Sequence, residues 1–270
     1  MNNIDNIELR KIQLEILDSI DSFCRENGIN YYLFAGTLLG AVRHKGYIPW
    51  DDDIDVCMKR EDYNVFFDSF NSQGTYYKAI NHSIDKKYYL ASGKVIDTRT
   101  EMIEAVSTNM KIGVYVDVFP MDYIPDDDIQ FNKLNREIDK YRKMLALKNM
   151  RWNKERSVVK NLIVSVSHIL LFPISINHII DKISDLASLY ENDKNNCSHI
   201  GDISVFTYGK KELFDIQCFD EVTELEFENK KYLVPKEYDK ILSKMYGEYM
   251  ALPPEEKRIS HHSFSAHWKE

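Results

Sequence analysis

The sequence predicts a mixed α/β fold of the α+β class, in which a sheet-based core carries an added helical region. Across the first 125 residues, short runs that alternate apolar and polar side chains separate segments with helical periodicity. Between about Asp126 and Glu191 the pattern becomes almost entirely helical. No stretch is rich enough in Gly, Pro and Ser to act as a linker, so we expect a single domain over residues 1–270.

Residues 1–125 carry the elements of the predicted core. An opening amphipathic helix is indicated by apolar residues at helical spacing, and it ends at Gly28, a C-cap position. The next segments alternate between predicted strands and helices, in the order INYYLFA, GTLLGAVRH, DIDVCM, REDYNVFFDSF, YYLASGKVI and IGVYVDVF. Polar residues lie at the ends of these strands, where we expect the functional site.

Residues 126–195 form the predicted helical region, and its apolar part runs from residue 161 to residue 180. Two interpretations of this part remain open. One is a buried helix pair hinged at Pro173, and the other is a surface helix that dips into the inner leaflet of a membrane. A spanning helix is not expected, because His168, Pro173, Asn177 and His178 interrupt the roughly 20 apolar residues that a span needs.

Residues 196–270 are predicted to complete the site. The run VTELEFENKKYLVP indicates a β-hairpin that turns at Asn229 and Lys230. Helical spacing follows over residues 235–246, and a C-terminal tail closes the chain.

Composition excludes several classes of protein. The chain has 44% hydrophobic residues and a formal net charge of −8, so no global basic field recruits nucleic acid. A phosphate-bearing substrate would therefore have to meet local cations or a metal. Four scattered cysteines show no zinc-site spacing and are expected to be buried, and the start MNNIDNIELRK does not resemble a signal peptide. We expect a cytoplasmic protein with at most peripheral contact at the inner membrane face.

A cluster of aspartates stands out in the run GYIPWDDDIDV. Because side chains alternate along a strand, Asp53 and Asp55 would share one face and seat a hard divalent cation. Asp52 falls on the opposite face, and Asp51 precedes the strand. Solvated surface acids are the alternative interpretation of this pattern.

A second acid lies in the run IGVYVDVFPMDYIP. Asp117 stands among valines of the opposite parity, which makes it either a third metal ligand from a neighbouring strand or a hydrogen-bonded core acid. Asp122, beyond Pro120, is interpreted as a turn residue.

Gly36 and Thr37 lie where a strand passes into a helix, so their backbone amides are a candidate anion site. Arg43 and Lys94 are candidate cations for the same phosphate, and a solvated charge cluster is the alternative for each.

The run GTLLGAVRHKGYIPWDDDIDV resembles the signature of the LicD family, nucleotidyltransferase-fold enzymes that also include the fukutin-related proteins. The segments SGKVIDTRT, VYVDVFPMDYIP, FENKKYLVPKEYDKIL and YGEYMALPPEEKRISHH resemble LicD segments in the same order. The poorest match covers residues 133–194, where acceptor recognition is expected.

The resemblance implies that Asp53, Asp55 and Asp117 are catalytic and hold Mg²⁺, with Mn²⁺ as the alternative ion. It also makes Asp51 a site residue, and Thr37 stands where the fold usually has serine. Trp50 either stacks on the cytosine, faces a quaternary ammonium or plugs the loop from below. His261 and His262 are expected to bind phosphate or to close the site rather than to hold zinc.

The activity implied by the resemblance is transfer of a phospho-alcohol, phosphocholine from CDP-choline in the familiar case, to a hydroxyl of a surface glycan. The partners would be a CDP-alcohol donor and a glycan acceptor that is free or lipid-linked. Two other functions remain open. One is a nucleotidyltransferase that releases pyrophosphate, and the other is an inactive glycan-binding module.

Overall fold

The computed structural model describes residues 3–104, 111–150, 152, 156–258 and 264–270. In this part of the chain, the secondary structure is mixed, which confirms the predicted α+β class. The helices are α1 (Asn6–Asn27), α2 (Ala35–His44), α3 (Arg60–Ser69), α4 (Asp128–Asn149), α5 (Val158–Leu170), α6 (Ile176–Ala187) and α7 (Tyr238–Tyr246). The strands are β1 (Asn3–Ile4), β2 (Tyr32–Leu33), β3 (Asp55–Lys59), β4 (Tyr77–Ile80), β5 (Gly93–Asp97), β6 (Thr100–Glu104), β7 (Tyr115–Ile124), β8 (His199–Gly201), β9 (Leu213–Asp215), β10 (Val222–Phe227), β11 (Lys230–Pro235) and β12 (Phe264–Trp268).

The central sheet is built around β7. Its strands follow the order β2, β3, β7, β5 and β4, and only the β3–β7 pair in this row is parallel. The far end of β7 pairs with β8, which in turn pairs with β9. The strands β8 and β9, which follow the helical region in the sequence, therefore extend the same sheet. A separate small sheet joins β1, β12 and β6.

The main core lies between this sheet and the helices α1 and α3. At the start of α1, the Asp5 carboxylate accepts a hydrogen bond from the Glu8 N–H at 2.9 Å, which caps the helix. Gly28 ends the helix with a φ of 65°, a left-handed conformation that glycine adopts without steric cost. The predicted opening helix and its C-cap are thus confirmed. The four cysteines are also buried with free thiols, as predicted.

The predicted hairpin is confirmed as β10 and β11, with its turn one residue earlier than expected. Phe227 pairs with Lys230, so the loop residues are Glu228 and Asn229, which have φ values of 50° and 65°. Two consecutive positive φ values are the mark of a type I′ turn, whose twist matches that of the flanking strands. The helix that follows begins at Tyr238 because the chain up to Pro235 is still in β11.

The helical region builds a second apolar cluster between α4 and α6, where Ile138, Ile179 and Ile183 are fully buried. The expected pair of helices around Pro173 is present as α5 and α6. Burial is confirmed for α6 but is wrong for α5, in which Asn161 and Val164 are the buried residues and most aliphatic side chains face outward. None of the helices in the described part of the chain is long and apolar enough to cross a bilayer.

The interpretation of Asp122 as a turn residue is wrong. Asp122 lies within β7, and its carboxylate accepts hydrogen bonds from the Arg60 guanidinium at 2.6 and 2.8 Å. Asp122 is 1% exposed and Arg60 5%, so this is a buried, two-pronged ion pair between β7 and α3. The strand runs through Pro120 without a break, which the proline had concealed in the sequence.

Loss of one partner of this pair should strongly destabilise the fold. Asp122→Asn removes the charged partner that is hydrogen-bonded to the buried Arg60 guanidinium, and we expect the free energy of unfolding to fall by about 3 kcal/mol or more. The matched control is Glu221→Gln, which removes one partner of the exposed Lys236–Glu221 pair and should cost less than about 1 kcal/mol. Urea unfolding at a constant m value measures both changes. Equal losses for the two variants would contradict the assigned role of Asp122.

Candidate active site

The predicted acidic residues meet at the edge where β3 and β7 run side by side. Asp55, the first residue of β3, is directly opposite Asp117 in the parallel register. Asp53 and Ile54 precede the strand, yet their burial still alternates, with Ile54 and Val56 fully buried and Asp53 and Asp55 partly exposed. Asp51, Asp53, Asp55 and Asp117 all line one cavity of about 910 Å³.

This crowding has an electrostatic consequence at Asp55. Burial raises the pKa of Asp55 well above its ordinary value, and the neighbouring carboxylates of Asp53, Asp117 and Asp51 raise it further, while Lys94 lowers it. Several oxygen ligands that repel one another form the donor set that a hard divalent cation such as Mg²⁺ prefers. The residues present therefore fit such an ion.

One group of three carboxylates in this cluster is close enough to share a cation. In the described part of the chain, carboxylate oxygens of Asp51, Asp52 and Asp53 lie within 4.8 Å of one another, and this is the group of three that meets this spacing. Strand alternation had assigned Asp52 to the opposite face. The predicted seat of Asp53, Asp55 and Asp117 is not among the groups of described residues that meet this spacing, and it stays a prediction. All three of its carboxylates line the cavity, whereas Asp52 does not.

Lys94 is positioned on β5 directly opposite Asp117 of β7. Its ammonium nitrogen donates to Asp117 Oδ1 at 2.7 Å and lies 3.3 Å from the centre of the Tyr115 ring. The lysine side chain is 4% exposed. Lys94 thus holds one oxygen of Asp117. The phosphate contact expected from the sequence stays a prediction.

Gly36 and Thr37 belong to the first turn of α2 and have different roles. A Cβ at Gly36 would lie 2.6 Å from Asp51 Oδ2, so the glycine leaves room for that carboxylate at the cavity edge. Thr37 is 3% exposed, and its hydroxyl accepts a hydrogen bond from the Asp55 N–H at 2.8 Å. Ala35, just before them, has a φ of 44°, a strained value for a residue with a side chain. The turn is therefore fitted closely to the acidic edge.

Arg43 and Trp50 lie outside the cavity lining. The Arg43 guanidinium donates to the backbone carbonyls of Tyr249 and Ala251, which fastens α2 to the segment after α7. Trp50 is half-buried, and its ring contacts the His44 ring edge-on. The Arg258 guanidinium lies over the Trp50 ring, 5.6 Å from its centre. These contacts are those of a packed aromatic residue, and contact of Trp50 with the cytosine or a quaternary ammonium stays a prediction.

His261 and His262 lie outside the described residues. His267, farther along the tail, belongs to β12 and is 8% exposed, with Nε2 3.7 Å from the Glu101 carboxylate. It is part of the small sheet that joins the chain's two end regions.

The opposite walls of the cavity come from residues that the sequence did not single out. One wall is formed by the C-terminal half of α4, and the other by the segment around β9 with one tyrosine of α7. The lining residues of these walls include Arg142, Leu145, Ala146, Asn149, Asp202, Ser204, Val205, Thr207, Tyr208, Glu212 and Tyr246. In the sequence they are scattered through helical and loop segments whose charges resemble a solvated surface, so no local pattern indicated them.

Glu212 is the titratable group of this wall with a pKa near neutrality. It is 3% exposed, and burial raises its pKa to about 7, although the backbone N–H groups of Tyr208 and Gly209 and the nearby Arg142 act in the opposite direction. The Tyr208 N–H donates to Glu212 Oε2 at 2.9 Å. Asp202, 2% exposed, has a pKa raised by its own burial and by Glu212. The wall is thus acidic but only partly charged.

Comparison with known proteins identifies a relative that covers most of the chain and others that cover parts of it. A family model described as LicD/FKTN/FKRP, nucleotidyltransferase domain, matches residues 28–144. The lipopolysaccharide cholinephosphotransferase LicD of Haemophilus influenzae is 31% identical over 261 residues, which cover 94% of this chain and 95% of that protein. An uncharacterised protein of Rickettsia typhi is 27% identical over 117 residues, 43% of this chain and 36% of its own length.

The raised pKa of Glu212 predicts a specific pH dependence of stability. Between about pH 4.5 and 7 the folded state holds a proton on Glu212 that the unfolded state has lost, so the stability falls as the pH rises. Glu212→Gln removes this loss. The advantage of the variant over the wild type should therefore grow across that window, towards on the order of 3 kcal/mol, and level off above it.

Urea unfolding from pH 4 to pH 8 measures the difference between the two proteins. Glu248→Gln, at an exposed position, serves as the control and should follow the wild type throughout. An advantage of Glu212→Gln that stays constant over the whole range would show that Glu212 titrates normally.

Proposed function

The chain belongs to the LicD family, and on that premise we propose that it transfers phosphocholine from CDP-choline to a hydroxyl of a cell-surface glycan. The observation that carries the proposal is the row of four aspartates, Asp51, Asp53, Asp55 and Asp117, along one edge of the large cavity. The cavity is large enough for a nucleotide donor, since ligand sites commonly measure about 300 to 1,000 Å³.

The charge of the cavity supports a metal-dependent reaction. Its described lining contains six acids and one arginine, Arg142. This excess of acidic groups would repel the diphosphate of a CDP-alcohol. Asp53, Asp55 and Asp117 are the residues that would hold Mg²⁺. The ion would neutralise the diphosphate and stabilise charge on the departing phosphate.

The protein's own groups then orient the reactants. The first amides of α2, at Ala35 and Gly36, border the cavity at the positive end of the helix and can bind a donor phosphate oxygen. Lys94 fixes Oδ1 of Asp117, so this carboxylate has a defined orientation towards an acceptor hydroxyl. In the proposed step the acceptor oxygen bonds to the choline-bearing phosphorus, its proton passes to Asp117, and the bond from that phosphorus to CMP breaks.

The acidic wall favours choline over an uncharged polyol. Tyr208 and Tyr246 meet with ring centres 5.7 Å apart, and both residues line the same cavity as Glu212 and Asp202. Aromatic faces combined with carboxylates attract a quaternary ammonium, whereas glycerol or ribitol would gain nothing from this charge.

The product distinguishes the proposed reaction from its alternative. The purified chain, given CDP-choline, a lipopolysaccharide acceptor and Mg²⁺, should release CMP and attach phosphocholine to the glycan, and EDTA should stop the reaction. CDP-glycerol and CDP-ribitol should react more slowly. Pyrophosphate formed from CTP or ATP, without turnover of any CDP-alcohol, would establish the nucleotidyltransferase instead.

Aspartate-to-asparagine substitutions identify the cation seat. Each of Asp53→Asn, Asp55→Asn and Asp117→Asn removes a charged ligand while nearly preserving shape, and should lower turnover by about 100-fold or more. Asp51→Asn should have an intermediate effect. Asp52→Asn is the matched control, because it removes the same charge from the same cluster outside the cavity lining.

Turnover as a function of Mg²⁺ concentration and Mn²⁺ binding measured by calorimetry provide independent readouts for this series. Asp52→Asn should bind Mn²⁺ as the wild type does. If Asp52→Asn loses the ion while Asp117→Asn keeps it, the cation lies among Asp51, Asp52 and Asp53 instead.

A further inference from the structure

Helix α5 exposes most of its aliphatic side chains to solvent instead of burying them. Its buried residues are Asn161 and Val164, and the partly buried Leu171 just beyond the helix continues the same stripe. The opposite face carries aliphatic side chains that are each more than half exposed, among them Leu162, Ile169 and Leu170. A surface helix of a globular protein ordinarily buries its aliphatic residues. An exposed apolar face of this extent indicates an interaction surface.

The charge around this helix is also unlike that of the rest of the chain. The protein has 43 acidic residues and a net charge of −8, yet residues 156–180 contain no acid at all. The segment that leads into α5, RWNKERSVVK, has four cations and one acid, and Lys160 within the helix is exposed. This is the charge that an anionic surface would attract, in a molecule that would otherwise be repelled by it.

From these observations we propose that α5 is a membrane-docking helix, which lies in the plane of an anionic bilayer with its aliphatic face among the acyl chains. Its 13 residues span only about 20 Å, which suits a helix that lies along the interface. Trp152 before the helix and Phe172 after it are both exposed, and aromatic residues at this depth anchor such helices.

The helix is fastened to the wall of the cavity. His168 Nε2 donates to the carbonyl of Leu147 at 2.9 Å, and Lys148 Nζ donates to the carbonyl of Leu171 at 2.8 Å. The neighbouring α4 residues Ala146 and Asn149 line the cavity. Docking through α5 would therefore hold the cavity close to the lipid surface, where an acceptor with a lipid anchor would be presented.

The proposal is tested by flotation of the full chain with vesicles of phosphatidylglycerol and phosphatidylcholine, without donor or acceptor. The wild type should float with these vesicles, and less with phosphatidylcholine alone. The triple variant Leu162→Ser, Ile169→Ser, Leu170→Ser should lower the partition coefficient at least tenfold. Lys160→Glu should weaken binding only to the anionic vesicles.

The matched control replaces three exposed aliphatic residues elsewhere, as Ile7→Ser, Ile129→Ser, Leu189→Ser, and should float as the wild type does. Thermal unfolding checks that both triple variants are folded, and turnover of a soluble acceptor by the α5 variant separates docking from the proposed chemistry. A wild type that does not float, or an equal loss in the control, overturns the proposal. If the wild type forms a dimer and does not bind vesicles, and the α5 triple variant is monomeric while the control variant stays dimeric, this face binds a second copy of the chain.

Discussion

Mutual repulsion among carboxylates is the constraint on which the site depends. Four aspartates border one cavity, and neighbouring charge raises the pKa of Asp55 well above its ordinary value. Contacts from neighbouring residues help to hold the cluster in place. The Thr37 hydroxyl binds the first amide of β3, Gly36 leaves space for Asp51, and Lys94 pairs with Asp117. The remaining excess of negative charge is what the proposed divalent ion would neutralise.

The same cavity is bounded by two parts of the chain that differ in character. The acidic edge belongs to the central sheet, where parallel register fixes Asp55 against Asp117. The facing walls come from α4 and from the loop around Glu212, which are positioned by the separate apolar cluster of the helical region. In the proposed reaction, the acidic edge and the walls that would contact the substrate are therefore supported by different cores. A change in the helical region could therefore alter the walls of the cavity without moving the four aspartates.

Local patterns in the sequence predicted the features that depend on local physics. The α+β class, the cap at Gly28, the hairpin and the helix pair around Pro173 follow from periodicity and turn chemistry. The meeting of Asp53, Asp55 and Asp117 was predicted from alternation along two strands and from family resemblance. Arg142 and Glu212 were missed because only tertiary packing brings them to the cavity. Asp122 was misjudged because Pro120 resembles a strand end, and the partner that explains this buried acid, Arg60, is 62 residues away.

The helical region leaves and re-enters the sheet at adjacent points. Ile124, the last residue of β7, is paired with His199, the first residue of β8. Directly paired residues of this kind have Cα atoms only about 5 Å apart. The cost of closing a flexible loop grows slowly, by about 0.6 kcal/mol for each doubling of its length. The segment between these two residues can therefore be replaced or changed in length while the pairing of β7 with β8 is kept.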